Sequence, residues 1–351
     1  MSRRTVSLVV VAALLVLLVL IAPDVLLLVF AGVLFGVMLQ GGGSWIAAKT
    51  GIPYRFGLAI FVVLLVGTAV VAATSAAPAL IDQFNELWRQ VPDAAGKLAA
   101  RLDDYSWGKS LLDAIRPGEL LSAQSGGMAA SALFSTFGAL GSFVLILFIG
   151  IYLAVAPGLY AQGATALFAP SLRPRARKAL RLGVHTLRHW IGAQLISMTV
   201  VGVLTGAGLW LLGIPLAFIL GALAALLAFI PNIGPILAAV PAVLLAFADG
   251  PTTVLWVIGI YVAVQTVESY LITPVVQQES VSLPPVLTIS VQLLLGALYG
   301  ILGLALATPL AALGLALIGS FYVGDYLDDE PAAAAGTDSP TETGPTPTGT
   351  D

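Results

Sequence analysis

An all-α, polytopic integral membrane protein is the fold class this sequence predicts, and three observations predict it. Hydrophobic residues make up 59% of the 351, charged residues only 9%, and mean hydropathy is +1.01; a soluble domain carries about 25% charged residues. The apolar residues gather into runs long enough to cross a hydrocarbon core of about 30 Å, which takes about 17 to 25 of them. Charge is segregated along the chain, with no Lys or Arg after Arg188 and no Asp or Glu between Glu119 and Asp249. The absence of cysteine excludes disulfides, thiolate metal sites, iron–sulfur clusters and cysteine nucleophiles.

The first run, residues 6–21, follows Arg3 and Arg4 and has the look of a secretory signal. It ends without an A-x-A-like site, and a second run, 25–40, begins directly after Ala22-Pro23-Asp24. That tripeptide reads as a tight turn, and the two short runs are expected to pack as a hairpin. Further spans are expected over 56–77, 132–155, 191–212 and 254–273. Two stretches, 214–248 and 283–321, are too long for one span and are interrupted by Pro and Gly.

Basic residues in short loops stay on the cytoplasmic side. Segment 157–190 carries Arg173, Arg175, Arg177, Lys178, Arg181 and Arg188 with no acidic residue, whereas 78–130 carries five basic and seven acidic residues. The first is therefore expected inside and the second outside, which also puts Arg3, Arg4, Lys49 and Arg55 inside. Within 78–130, Leu80, Phe84, Leu87, Val91, Leu98, Leu102 and Tyr105 recur at helical spacing among charged residues, the pattern of an amphipathic helix. Pro92 is expected to divide it in two. Such a helix either lies in the interface and caps the spans, or serves as a lid or oligomer contact. The acidic, Pro- and Thr-rich segment 325–351 is too poor in large apolar side chains to fold and is expected to be disordered.

Enzyme chemistry finds little support. Gly108-Lys109-Ser110 resembles the end of a phosphate-binding loop, but the required first glycine is replaced by Asp103. Neither G-x-S-x-G nor H-E-x-x-H occurs, and His185 and His189, one helical turn apart, have no Cys or carboxylate nearby to complete a metal site. No motif calls for a cofactor or a nucleic acid. Without an ATP-binding motif, any pumping would draw on a gradient or on a separate subunit.

Attention then falls on polar groups and broken backbone at membrane depth. Tyr261, Gln265, Glu268, Ser269 and Thr273 stand at offsets 0, 4, 7, 8 and 12, one face of a helix whose other faces are apolar. A carboxylate at a span centre costs about 2.5 to 3.5 kcal/mol by insertion scales, less near an end. Glu268 therefore either reaches the interface or a local hydrogen bond, or serves ion coupling or substrate contact. Phe229-Ile230-Pro231-Asn232-Ile233-Gly234-Pro235 lies midway through 214–248. Pro231 lacks an amide proton, Gly234 permits uncommon backbone, and Pro235 suits a first helical turn. Two half-length helices are expected to meet head to tail there, lining a site, unless the segment is a plain surface turn. Gly296, Gly300 and Gly303, between Pro284-Pro285 and Pro309, suggest a comparable break. The pairs Gly32/Gly36, Gly202/Gly206 and Gly296/Gly300 would admit close helix crossings.

These residues resemble a known family. The segment Phe229 to Pro235 is similar to the F-I-P-x-I-G-P signature of the autoinducer-2 exporter family of membrane transporters. Gln265-x-x-Glu268, Pro274, Leu283-Pro284, the Gly296 to Gly303 run and Thr308-Pro309 follow at matching spacing. The likeness covers about residues 3 to 322. It implies about eight transmembrane helices including two broken hairpins, both termini in the cytoplasm, and a homo-oligomer, a pentamer, in the plasma membrane. Members are linked to autoinducer-2 export or to sodium or proton antiport, so the likeness leaves the substrate open. Between Pro274 and Leu283, where the family commonly has a Gly and a basic residue, this chain has Gln277, Gln278 and Glu279. The function expected is gradient-driven transport of a small solute or ion, with no catalytic activity; the alternative is a passive channel or membrane scaffold.

Overall fold

The computed structural model describes residues 3–75, 77–102, 128–272 and 284–320. Among them every regular element is helical. In chain order these are α1 (Arg3–Ile21), α2 (Pro23–Thr50), α3 (Tyr54–Ser75), α4 (Ala77–Leu102), α5 (Met128–Val155), α6 (Pro157–Ala166) and α7 (Arg173–Leu211). There follow α8 (Ala217–Leu227), α9 (Ile233–Ala246), a 3-10 turn (Phe247–Asp249), α10 (Pro251–Val267), a π-helical turn (Glu268–Ile272) and α11 (Pro285–Ile318). The acidic tail, Thr273 and the Gln277–Glu279 loop lie outside the described residues.

By length and composition five of these helices are apolar enough to cross a membrane: α2, α3 over Tyr54–Val71, α7, Pro251–Tyr270 and α11, the last folded in two at Gly300. A sixth candidate, Leu140–Val155 with Pro157–Ala166, is bent by 94°. Large apolar side chains such as Val63, Val66 and Val70 on α3 and Trp210 and Leu211 on α7 stand exposed. In water such a surface would drive aggregation; in a bilayer acyl chains solvate it. The chain is a multi-pass membrane protein.

Several expectations are corrected by the packing. Helix α2 runs for 28 residues, not sixteen, and packs against α3 and α5, whereas the described apolar side chains of α1, up to Leu20 and Ile21, stand exposed. The tight α1–α2 hairpin does not form, because the glycines of α2 face α3 and α5: a Cβ at Gly32 would fall 2.6 Å from Ile149, and one at Gly43 2.8 Å from Leu58. Helix α4 passes through Pro92 unbroken. A proline removes one intrahelical bond, and buried Leu87 and Ala94 anchor the helix on either side of the gap. Leu87 joins a buried cluster with Leu220 of α8 and Ala242 of α9, so α4 caps that pair of helices; Gln83 Oε1 accepts the Ile219 amide at 3.1 Å.

Helices α8 and α9 fold back side by side, not head to tail. Ala224 and Ala238 share one buried cluster, and Leu220 and Ala242 another, so the pairing is centred on Pro231. The reversal is tight because Gly234 lies against the Leu227 carbonyl, where a Cβ would come within 1.8 Å of the oxygen. Eleven residues of α8 span about 16 Å, half of a hydrocarbon core. Helix α11 reverses in the same way. Gly300 has φ 62° and ψ −144°, a conformation open in practice to glycine alone. Gln292 on one arm bonds Thr308 on the other, which a straight helix would hold about 24 Å apart. Gly300 is thus a turn, while Gly296 meets Leu304 across the hairpin. The expected close crossing does hold for Gly202 and Gly206, which face Ala225 and Gly221 of α8.

Helix α7 organises the whole. At 39 residues it is about 58 Å long, so its basic first half continues beyond the apolar span. It packs against α2, α6, α8, α10 and α11.

Candidate functional site

The polar face of α10 turns inward toward α7 and α9. Tyr261 donates its hydroxyl to the Ala238 carbonyl of α9 at 3.0 Å. One turn on, Gln265 Nε2 donates to Glu268 Oε2 at 2.9 Å and reaches Ser269 Oγ at 3.5 Å. Glu268 begins the π-helical turn, where the backbone widens by one residue per turn. Its other oxygen, Oε1, accepts the hydroxyl of Ser197 on α7. The carboxylate is half-buried, and Ser197 is 8% exposed.

Ser197 has a companion one turn earlier on the same face of α7. Gln194, also 8% exposed, donates to the Ala228 carbonyl at 2.6 Å. Ala228 opens the irregular segment between α8 and α9, where Pro231 and the positive φ of Asn232, 67°, leave carbonyls without helical partners. A single turn of α7 therefore holds the Glu268 carboxylate with one side chain and the broken backbone with another.

The second hairpin supplies the remaining anchor. Gln292, fully buried, donates Nε2 to the Pro231 carbonyl at 3.0 Å and to Thr308 Oγ1 at 3.2 Å. Its Oε1 finds no donor among the described residues, nor does the Thr205 hydroxyl oxygen of α7. Such buried oxygens cost about 1–3 kcal/mol each when left unpaired. Trp190 of α7 meets Phe229 edge-on, ring centres 5.8 Å apart, and closes the apolar side of the break.

The residues singled out from sequence fall into two groups. Gln265, Glu268 and Ser269 join one hydrogen-bonded group with Ser197 of α7, Tyr261 bonds the Ala238 carbonyl of α9, and Pro231 is held by Gln292 of α11. Gly234, Pro235, Gly296, Gly300 and Gly303 shape the two hairpins: Gly303 is buried against the Leu295 carbonyl, Pro235 sits in the first turn of α9, and Gly300 and Asn232 present exposed backbone. The sequence reading missed Gln194, Ser197 and Gln292. The first two are polar residues three apart in an apolar span, and the third is the one large polar side chain between Val286 and Leu298; amides and hydroxyls, less costly in a membrane than a carboxylate, give a fainter signal.

Residues 8–322 match the profile of the family described as AI-2E family transporter. The chain belongs to the AI-2E family. Among curated relatives it is 26% identical to YueF of Bacillus subtilis over 276 residues, covering 74% of this chain and 75% of that one. It is 28% identical to YrrI of the same organism over 281 residues, covering 77% and 78%. A Mycobacterium tuberculosis protein, MT0215, is 34% identical over 170 residues, covering 48% and 46%. The names of all three speak of transport and of no substrate. An AI-2E membrane transporter is accordingly what this chain is, and the two reversing hairpins joined by Gln292 are the form its family signature takes.

Proposed function

We propose that this AI-2E transporter is a secondary, gradient-driven exporter or antiporter of a small solute or ion, with its pathway between the Pro231 to Pro235 break, the Gln265/Glu268 face and the Gly296 to Gly303 hairpin. One observation carries the reading: the Glu268 carboxylate, the lone acidic residue between Asp249 and Glu279, is tied through a single turn of α7 to the Ala228 carbonyl at the break. A carboxylate there can exchange a proton or hold a hard cation, which prefers oxygen ligands. Carbonyls released from helical pairing at a helix break are groups that transporters use for ion contact. Autoinducer-2, sodium and protons are the first candidates by family likeness. A plasma-membrane homo-oligomer is part of the same reading.

The test is purified protein in liposomes with imposed proton and sodium gradients. Coupled transport concentrates solute against its own gradient only while the driving gradient lasts. Flux that merely equalises concentrations under every condition would make the protein a channel.

Orientation follows from the basic segment, with 157–190 cytoplasmic and α4 external. Cysteines at Lys97 and Ser171 are expected to label from opposite sides of intact cells with an impermeant maleimide. Labelling from one side alone would overturn that arrangement.

A further inference from the structure

Away from the Glu268 region, a cavity of about 1020 Å3 lies between α2, α5, α6 and the first half of α7. Its long wall is apolar: Val29, Val33 and Val37 recur on one face of α2, opposite Phe148 and Ile149 of α5. From Val29 to Gln40 α2 advances about 16 Å, the depth of one leaflet of a 30 Å core.

The other end has a different character. Arg181, His185 and Arg188 stand at offsets 0, 4 and 7 on α7, on one helical face, and all three line the cavity beside Gln40. Arg188 Nη2 donates to the Gly41 carbonyl at 3.2 Å, which fixes the guanidinium at the mouth. Neither Arg181 nor Arg188 is paired with a carboxylate among the described residues, and no Asp or Glu lines the cavity. At this end the chain turns by 94° from α5 into α6, as a helix does on leaving a membrane to run along its surface. Tyr152 and Tyr160 flank the bend, where aromatic side chains favour the headgroup layer.

We infer that this cavity binds an anionic phospholipid, one acyl chain along the α2–α5 wall and the phosphate at Arg181, His185 and Arg188. The shape and charge are those of an amphiphile in negative. A small anion would use the basic end and leave the apolar wall uncovered. A zwitterionic lipid would bring its own cation to a mouth that already holds two guanidinium groups. Arginine is suited to the role because its planar fork binds phosphate with two parallel hydrogen bonds. Basic pockets between spanning helices at one membrane face are a recognised form of headgroup site.

The experiment uses the full chain in nanodiscs of phosphatidylcholine, titrated with phosphatidylglycerol or, in a separate arm, with inorganic phosphate. Bound lipid is counted by native mass spectrometry and the melting temperature is recorded. Saturable phosphatidylglycerol binding that raises the melting temperature is expected, with no effect of inorganic phosphate. Arg181→Gln/Arg188→Gln should weaken that binding by about 30-fold, the effect of removing two interfacial cations. Should loss of the Arg188–Gly41 bond reduce folded yield, Arg181→Gln alone should still weaken it by about fivefold. Ala161→Trp, which fills the cavity from α6 without changing charge, should weaken it too. Phosphate acting as strongly as phosphatidylglycerol would overturn the assignment. So would wild-type lipid binding in Arg181→Gln and Ala161→Trp, or a change of oligomeric size in these variants with lipid binding unchanged, which would make the cavity a contact between copies.

Discussion

Glu268→Gln is expected to reduce gradient-driven accumulation to the passive level, a concentration ratio of one, while the protein folds and assembles as wild type. The amide has the same shape, and it can accept from Gln265 with its oxygen and donate to Ser197 with its nitrogen, since a hydroxyl serves in either sense. What it cannot do is release a proton or offer a charged oxygen to a cation. Structure and coupling are thereby separated. Ser197→Ala provides the contrast: the carboxylate remains but loses one of its two named donors, so transport should persist with an altered pH or sodium dependence. If Glu268→Gln accumulates solute at the wild-type rate with unchanged ion dependence, the carboxylate is structural and the coupling reading fails.

A single methyl group at Gly234 should have the largest effect on the fold itself. The Cβ of Gly234→Ala would lie 1.8 Å from the Leu227 oxygen and 2.5 Å from its carbonyl carbon. Both are backbone atoms, so no side-chain rotation relieves the clash, and the arms of the hairpin must part. Ordinary overpacking costs about 1–3 kcal/mol, and a forced separation of two packed helices belongs at or above the top of that range. Gly259→Ala, on the exposed side of α10 with no atom nearby, should be neutral or mildly stabilising. Folded yield by size-exclusion chromatography and thermal midpoints in detergent would compare the two. Equal behaviour would show that the α8–α9 reversal is not tight at Gly234.

Composition and run length made the class and the long helices legible, because bilayer thickness leaves few options for a chain this apolar. The breaks at Pro231 and Gly300 were legible too, since proline and glycine act on the backbone locally. Their sense was not legible in the residues themselves, although the family likeness implied hairpins. Whether half-helices continue collinearly or fold back depends on what Gly234 and Gly303 touch, and those partners, Leu227 and Leu295, are ordinary leucines using their carbonyls. Pro92 misled for a related reason: a proline weakens a helix by one bond, and Leu87 and Val91 outweigh it through the cluster they share with distant α8 and α9. Glu268 stood out as a charge in an apolar span. Ser197 and Gln194 did not, because their importance lies in what they reach across 71 and 34 positions of sequence.

The amide of Gln292 is a latch between the tip of the α8–α9 hairpin at Pro231 and an arm of the α11 hairpin, and its strength can be put in numbers. A net hydrogen bond contributes about 0.5–1.5 kcal/mol, and of the two that Gln292 donates only the one to the Pro231 carbonyl crosses between the hairpins, so parting it costs about that much. Taken alone, that leaves between about one molecule in three and one in fourteen with this bond open at any instant. A ligand has to favour the parted arrangement by more than this to make it the dominant one, which is still a weak preference. One hydrogen bond from a buried glutamine thus sets the polar part of the hairpin junction within reach of weak binding.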